Sequence, residues 1–498
     1  MQRQFLTLCK GYVCIFIAQK SIFIKDIFTQ GLRWTFLANI FGAGLNLVKF
    51  ILLTQFLSTQ DFALVAISSV FVGIASMLQE SGINTLLIQK KIISKEFLSA
   101  SLGWNLIFGF LLFFLLLMLF LPAHLIYPFE GLWLVWCFHS TVLLINGLFI
   151  PYKVWSQREL KFDQLAISDL IGVGLGFIVC MILAVNEFGA IALVLGWIAQ
   201  YFFAGFSILL FAKFSISWVG IFRFQHIKAE LIQSLDFWSE RIISNLVGAI
   251  DVLLFGTLLG ADFLGIYEVF KRIILRLINI ISISVEKVVF PLMCQAQSAP
   301  NKLGQYYWQA LSIVLFLTLP ISIGSYFFPE TILSIFGTEW QDQEQSFQFI
   351  AIFSLFHVLL NPVDVLYAAI GKISIWRNLN MVFLGVFFIY LFIPDDYILS
   401  TFLLMWFLFT AYTYLFALRQ IIACSLLAIG QYILSPLLIS ILVATLVKQL
   451  LPASENFVFL SLFLFGILYL VFMLVFHSSI MNMVKNLVIF GEQENGEK

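Results

Sequence analysis

Charge is what this chain has least of. Asp, Glu, Lys and Arg make up 11% of its 498 residues, and the two signs cancel to a net charge of zero. Without a cationic excess there is no field to hold a nucleic-acid backbone, so nucleic acid is not an expected partner. Cysteine is scarce as well. Cys9, Cys14, Cys137, Cys180, Cys294 and Cys424 form no C-x-x-C pair and no Cys/His ligand spacing, which argues against a disulfide framework and a zinc site. They read as small apolar side chains in apolar stretches. No Walker sequence occurs, so hydrolysis of ATP has no support. The glycine run Ile171-GVGLGF follows no strand and lacks the final spacing of a dinucleotide loop, and it lies inside an apolar segment. It predicts close helix packing. The histidines (His124, His139, His226, His357 and His477) are scattered and form no constellation. No metal and no cofactor is expected.

What fills the chain instead is hydrocarbon. Apolar residues reach 61%, with 57 Phe, and mean hydropathy is +1.02; an ordinary soluble domain holds about 45–50%. Segments long enough to span a bilayer, about 20 residues each, fall at 33–56, 62–85, 97–121, 129–151, 164–185, 188–212, 233–258, 262–290, 306–328, 346–370, 374–394, 397–418, 427–449 and 456–478. The chain is therefore expected to be an all-α polytopic membrane protein with about fourteen transmembrane helices. Cations should collect on the cytoplasmic side. With the N-terminus inside, the inner connections hold Lys90, Lys91, Lys95, Lys153, Arg158, Lys161, Lys213, Arg223, Lys228, Lys302, Lys372, Arg377 and Arg419. The outer ones hold acids such as Asp61, Asp262, Glu330, Asp342, Asp395 and Asp396, with Lys448 their only cation. Both termini are expected in the cytoplasm. Residues 1–30 are broken by Lys10, Lys20 and Lys25 and read as an interfacial segment.

Two stretches repeat. Leu57-STQDFALVAI and Leu259-GADFLGIYEV align Asp61-Phe62 with Asp262-Phe263, 201 residues apart. Both lie at outer turns, so the copies share one orientation and are related by an axis along the membrane normal. The expected organisation is two pseudo-symmetric six-helix lobes, 31–213 and 214–421, followed by two additional helices in 422–480 and a polar tail, 481–498.

The few charges inside spans carry the functional expectations. A charge near the bilayer centre costs about 2.5–3.5 kcal/mol even on the lenient insertion scale, so such groups normally face protein or a water-filled cavity. Glu268, Lys271, Arg272 and Arg276 share one side of the eighth span. Glu268 and Arg272 can pair at i,i+4, leaving Lys271 and Arg276 without a local partner. The repeat also aligns Lys49, 12 residues before Asp61, with Asp251, 11 before Asp262; both lie about 16–18 Å below the outer surface. They either line a central cavity or join the lobes by an ion pair. Lys49, Lys271, Arg272 and Arg276 are thus candidates to hold an anionic substrate, and Asp251 and Glu268 to couple an ion. Asp169 and Asp364, each eight residues from an inner lysine (Lys161, Lys372), are further ion-coupling candidates. Glu80 reads as an end-of-helix or gate residue.

Several motifs in order resemble one family. Leu57-STQDFALVAISSVFVGIASMLQESGINTLLIQKK is similar to the first two spans of polysaccharide flippases, where an L-S-x-x-D-F-G turn precedes E-x-G and L-I-Q; Ala63 stands in place of the glycine. Arg158-ELKF resembles the R-x-L-x-F after the fourth span, and Leu264-GIYEVFKRI, Val289-FPLM, Phe336-GTEW and Ala369-IGK follow. The resemblance covers about residues 31–380 and points to the polysaccharide-transporter branch of the multidrug/oligosaccharidyl-lipid/polysaccharide exporter superfamily. It implies a V-shaped pair of six-helix lobes in the bacterial inner membrane. It also implies a flippase, not an enzyme, that moves a polyprenyl-pyrophosphate-linked oligosaccharide to the outer leaflet for O-antigen, capsule or exopolysaccharide synthesis. Its partners would be that lipid-linked substrate, membrane lipid, and a polysaccharide polymerase with other assembly proteins. A cation-coupled multidrug antiporter is the alternative, though organic cations call for acidic cavities. A membrane polymerase or ligase would need catalytic groups on an outer loop, and the largest, about 329–345, carries acids but no His, Arg or Lys.

Overall fold

Helix starts and stops in this chain are written in capping chemistry. At the turn around residue 58, Ser58 and Asp61 cap each other. The Ser58 amide donates to Asp61 Oδ2 (3.0 Å), and the Asp61 amide donates to Ser58 Oγ (3.3 Å). This is a reciprocal capping box, with buried Leu57 and Phe62 at the staple positions on either side. The repeated sequence around Asp61 is therefore a helix-start signal. Ser94 does the same work alone, its Oγ accepting from the Phe97 amide at 3.1 Å. Gly371, at φ +70°, ends a helix in the left-handed conformation, with the Lys372 amide donating back to the Tyr367 carbonyl at 3.0 Å.

The computed structural model describes residues 38–80, 84, 87, 93–211, 228–422, 426–450 and 458–476. The expected interfacial segment 1–30 and the tail 481–498 lie outside the described residues. Within them all regular structure is helical. The helices used below are α1 (Ala38–Leu53), α2 (Thr59–Glu80), α3 (Lys95–Ile126), α4 (Leu132–Arg158, interrupted at Thr141), α5 (Phe162–Val185), α6 (Ala190–Phe211), α7 (Lys228–Leu258) and α8 (Gly260–Gln295). They continue with α9 (Pro300–Phe327), α10 (Glu344–Ala369), α11 (Ile373–Val386), α12 (Ile398–Gln420), α13 (Leu427–Leu450) and α14 (Val458–Phe476). Among the described residues, nine helices are long and apolar enough to cross a membrane: α2 to α6, α9, α10, α12 and α13. The other spans expected from the sequence fall on the shorter or more polar α1, α7, α11 and α14 and on the charge-bearing α8.

The chain divides into two compact units, one of residues up to Lys49 and Ile67–Asn245, the other of Phe50–Ala66 and Leu246 onward. Apolar contact alone is a weak glue between helices in lipid, so close backbone approach and polar bonds carry much of the packing. In the first unit Gly172 and Gly176 turn toward α6. A Cβ on Gly176 would lie 2.7 Å from the Gly196 carbonyl oxygen, and one on Gly172 2.6 Å from the Gln200 carbonyl oxygen, whereas Gly174 faces open space. The glycine run thus serves helix packing, as its position inside a span implied. Buried amides add a neutral network. Gln79 donates to the Leu143 carbonyl (3.0 Å), Asn84 to the Gln79 carbonyl (2.7 Å), and Asn84 and Asn105 exchange bonds of 3.0 and 3.1 Å. His139 is satisfied by Ser68 at 2.9 Å.

In the second unit, Pro320 inside α9 cannot bond the Phe316 carbonyl four residues back. Tyr469 of α14 donates its hydroxyl to that carbonyl at 2.8 Å. The short segment Phe50–Ala66 is anchored in this unit too. Trp340 Nε1 donates to the Thr54 carbonyl (3.0 Å), and Thr54 Oγ1 returns a bond to the Phe336 carbonyl (3.2 Å). Gly265 lets α8 pass directly beside the Thr59 carbonyl, where any Cβ would clash with backbone. The two repeated turns also meet side by side, Thr59 Oγ1 lying 3.4 Å from Asp262 Oδ1.

Candidate functional site: a buried ionic cluster on α7 and α8

Helical spacing assembles the site from two rows of α8. Tyr267 and Lys271 stand four residues apart on one row, Glu268 and Arg272 on the next, so each pair shares a face. Across the Leu259–Gly260 turn, α7 presents Asp251, which is 3% exposed. Tyr267 Oη and Lys271 Nζ both donate to Asp251 Oδ2 at 2.5 Å, while Oδ1 accepts from the Val252 amide at 2.9 Å. One carboxylate therefore holds a cation and a phenol at once. The second row closes locally, Arg272 Nε donating to Glu268 Oε1. The guanidinium also lies over the Phe50 ring, 5.3 Å from its centroid, and Lys271 over the Tyr267 ring at 5.6 Å. Cations stacked on rings in this way gain from the ring quadrupole, more so when desolvated.

Four of the expected residues thus come together: Asp251, Glu268, Lys271 and Arg272. The pairing of Glu268 with Arg272 follows the local spacing. Lys271, for which the sequence offered no local partner, takes one from α7. Arg276, one turn further along α8, is exposed. Two participants went unnoticed in the sequence. Tyr267 stands one turn before Lys271 and was hidden among the apolar residues of its helix. His357 of α10 accompanies Asn279 of α8 at 3.1 Å and feels the charges of Lys271 and Asp251. Nothing in their spacing along the chain announces either one.

The remaining candidates lie elsewhere. Lys49 belongs to the first unit, 2% exposed and within electrostatic reach of Cys180 on α5. Asp169 of α5 sits 3.4 Å from Lys153 of α4, both side chains about half exposed (52% and 53%). Glu80 of α2 and Tyr201 of α6 act on the same lysine, which makes a four-helix polar cluster in the first unit. The sequence places Lys153 among the inner-loop cations and gives no link between Glu80 and Asp169. Asp364 of α10 lies near Glu286 of α8. Among the described residues no group of three His, Cys, Asp or Glu is arranged to hold a metal ion.

Chemically the α7–α8 cluster sets two cations against two carboxylates. Both cations are held by carboxylates, and the Lys271 and Arg272 side chains remain 16% and 24% exposed. An arriving anion can compete for them. Arginine and lysine suit this role differently, arginine through a planar fork matched to phosphate oxygens and lysine as a mobile point charge.

Residues 52–345 match the model of a family described as polysaccharide biosynthesis protein. Among curated relatives, a lipopolysaccharide biosynthesis protein WzxC of Escherichia coli (strain K12) is 23% identical over 381 residues, 74% of this chain and 75% of that protein. A teichuronic acid biosynthesis protein TuaB of Bacillus subtilis (strain 168) is also 23% identical, over 69% of this chain and 71% of its own length. Among solved structures, a lipid II flippase MurJ in an inward closed conformation superposes with a TM-score of 0.71 at 16% identity, covering 89% of this chain and 99% of that one. At that identity the likeness speaks for the fold.

Proposed function

Since the chain belongs to the polysaccharide biosynthesis protein family, we propose that it is a flippase. It carries a lipid-linked oligosaccharide across a bacterial inner membrane for surface polysaccharide synthesis. The lipid carrier is a polyprenyl pyrophosphate, the direction is from cytoplasmic to outer leaflet, and both termini lie in the cytoplasm. The observation that carries this reading is the partly buried pair of carboxylate-held cations, Lys271 and Arg272, on a helix rich in Ile, Leu, Val and Phe.

The physical logic is substitution. A cation inside a membrane protein is expensive alone, and Asp251 and Glu268 neutralise the site when it is empty. A doubly ionised pyrophosphate diester replaces those carboxylates as the partner of the cations. Lys49 in the first unit and Arg276 in the second are further cations proposed to bind anionic substrate, and Asp251, Glu268, Asp169 and Asp364 are the acids available for ion coupling. The sugars travel through a wet route while the prenyl tail stays in lipid, and no covalent bond is made or broken. Polymerase and assembly proteins act on the product after it reaches the outer leaflet.

A deletion strain should accumulate lipid-linked repeat units on the cytoplasmic leaflet. A Lys49→Ala, Arg276→Ala double variant should fail to restore surface polysaccharide, with Arg276→Lys retaining part of the export because it keeps the charge and loses the fork. Normal polysaccharide from the double variant, expressed at wild-type level, would refute the cationic head-group site.

A further inference from the structure

Glu268 has an oxygen left over. Its Oε1 accepts from Arg272, but Oε2 is buried with no hydrogen-bond partner, on a side chain only 10% exposed. Asp251 differs. Its Oδ2 holds Lys271 and Tyr267 and its Oδ1 holds the Val252 amide, so it keeps two donors even when Lys271 departs. Glu268 depends on one cation. Resting on the reading of Lys271 and Arg272 as a head-group site, we infer that Glu268 takes up a proton from solvent whenever a phosphate head group draws Arg272 away, so that anion binding and proton uptake are one event.

The reason is electrostatic. A carboxylate stripped of its partner in a buried site neutralises rather than remain ionised. The proton comes from water, adds to a Glu268 carboxylate oxygen, and leaves when Arg272 returns; the substrate's bonds are untouched. The charged and titratable groups around Glu268 are consistent with this. Its own helix supplies Tyr267, Lys271 and Arg272, α7 supplies Asp251, and α10 supplies His357, which feels the charges of Lys271 and Asp251. The Phe50 ring covers the guanidinium. From residue 308 to residue 325, α9, which also packs on α8, carries no titratable side chain. The neighbouring cations of α8 are otherwise placed: Lys271 is held by Asp251, and Arg276, one turn beyond Arg272, is exposed. Gly265, which brings α8 against the Thr59 backbone, and the Trp340 bond to Thr54 hold Phe50 in place over Arg272. The guanidinium therefore moves against a fixed ring.

The test uses the full chain in lipid nanodiscs and symmetrical dibutyl pyrophosphate, a soluble diester whose own phosphates stay ionised through the neutral range. Calorimetry in two buffers of different ionisation enthalpy counts protons. The wild type should take up about one proton per bound diester, and affinity should fall about tenfold per unit rise in pH where uptake is complete. Glu268→Gln should bind without that proton and without that pH dependence. Binding with no uptake, or with equal uptake in wild type and Glu268→Gln, overturns the inference and leaves the head-group reading standing. Absence of any binding to the wild type overturns both. Infrared difference spectra of the wild type give a readout independent of the variant's folding. A protonated-carboxyl band should appear on adding the diester, and a spectrum without one overturns the proposal.

Discussion

The two units of this protein handle buried polarity in opposite ways. In the first, apart from the buried Lys49, the buried polar network is neutral: Gln79, Asn84 and Asn105 bond to one another and to nearby carbonyls. An ion pair there, Lys153 with Asp169, is half exposed. In the second, two largely buried ion pairs engage adjacent rows of α8. A neutral amide network fixes one arrangement, since each amide bond lost leaves a donor or acceptor unsatisfied. An ionic cluster is held just as firmly while paired, yet it accepts an alternative partner of the right charge. The first pattern suits a scaffold and the second suits a place where something charged comes and goes.

The contrast can be broken at its strongest point first. Asp251→Ala should destabilise the folded protein by about 3–5 kcal/mol, because it leaves Lys271 buried without its carboxylate. Asp251→Ala, Lys271→Met should recover most of that loss. Thermal unfolding in detergent checks both, and a single variant as stable as the double would end the claim of a buried, dependent pair. A smaller effect is expected in the first unit. Gly176→Ala should cost about 1–3 kcal/mol by forcing α5 and α6 apart, while Gly174→Ala, which faces open space, should be neutral or mildly stabilising by the same assay. The smallest is Asp169→Asn, which removes a half-exposed pair worth about 0.2–1 kcal/mol and sensitive to salt. If Asp169→Asn matched Asp251→Ala, the division into a neutral scaffold and an ionic exchanger would fail.

Much of the fold was legible because its signals are local. Ser58 and Asp61 lie three residues apart and cap the same helix; Gly371 marks a stop; Gly172 and Gly176 share a face four residues apart. These depend on backbone geometry within one or two turns, which spacing along the chain encodes. The pairing of Glu268 with Arg272 was readable for the same reason. The motifs carrying the family resemblance are largely of this kind. Asp61 starts a helix and Gly371 ends one, and at the end of α4 Arg158 donates to the Leu87 carbonyl at 2.8 Å.

The sequence by itself therefore determined the helical, membrane-spanning class, the places where helices begin and end, and the presence of charges that hydrocarbon does not tolerate alone. Only the tertiary structure decided who neutralises whom. Asp251 reaches Lys271 and Tyr267 from another helix, Lys153 gathers Asp169, Glu80 and Tyr201 from three others, and His357 joins the α8 cluster from α10. Helical periodicity sets which side chains share a face of one helix. Partnership between helices depends on their relative rotation and height, and close packing settles these through contacts such as Gly176 against Gly196 and Gly265 against Thr59.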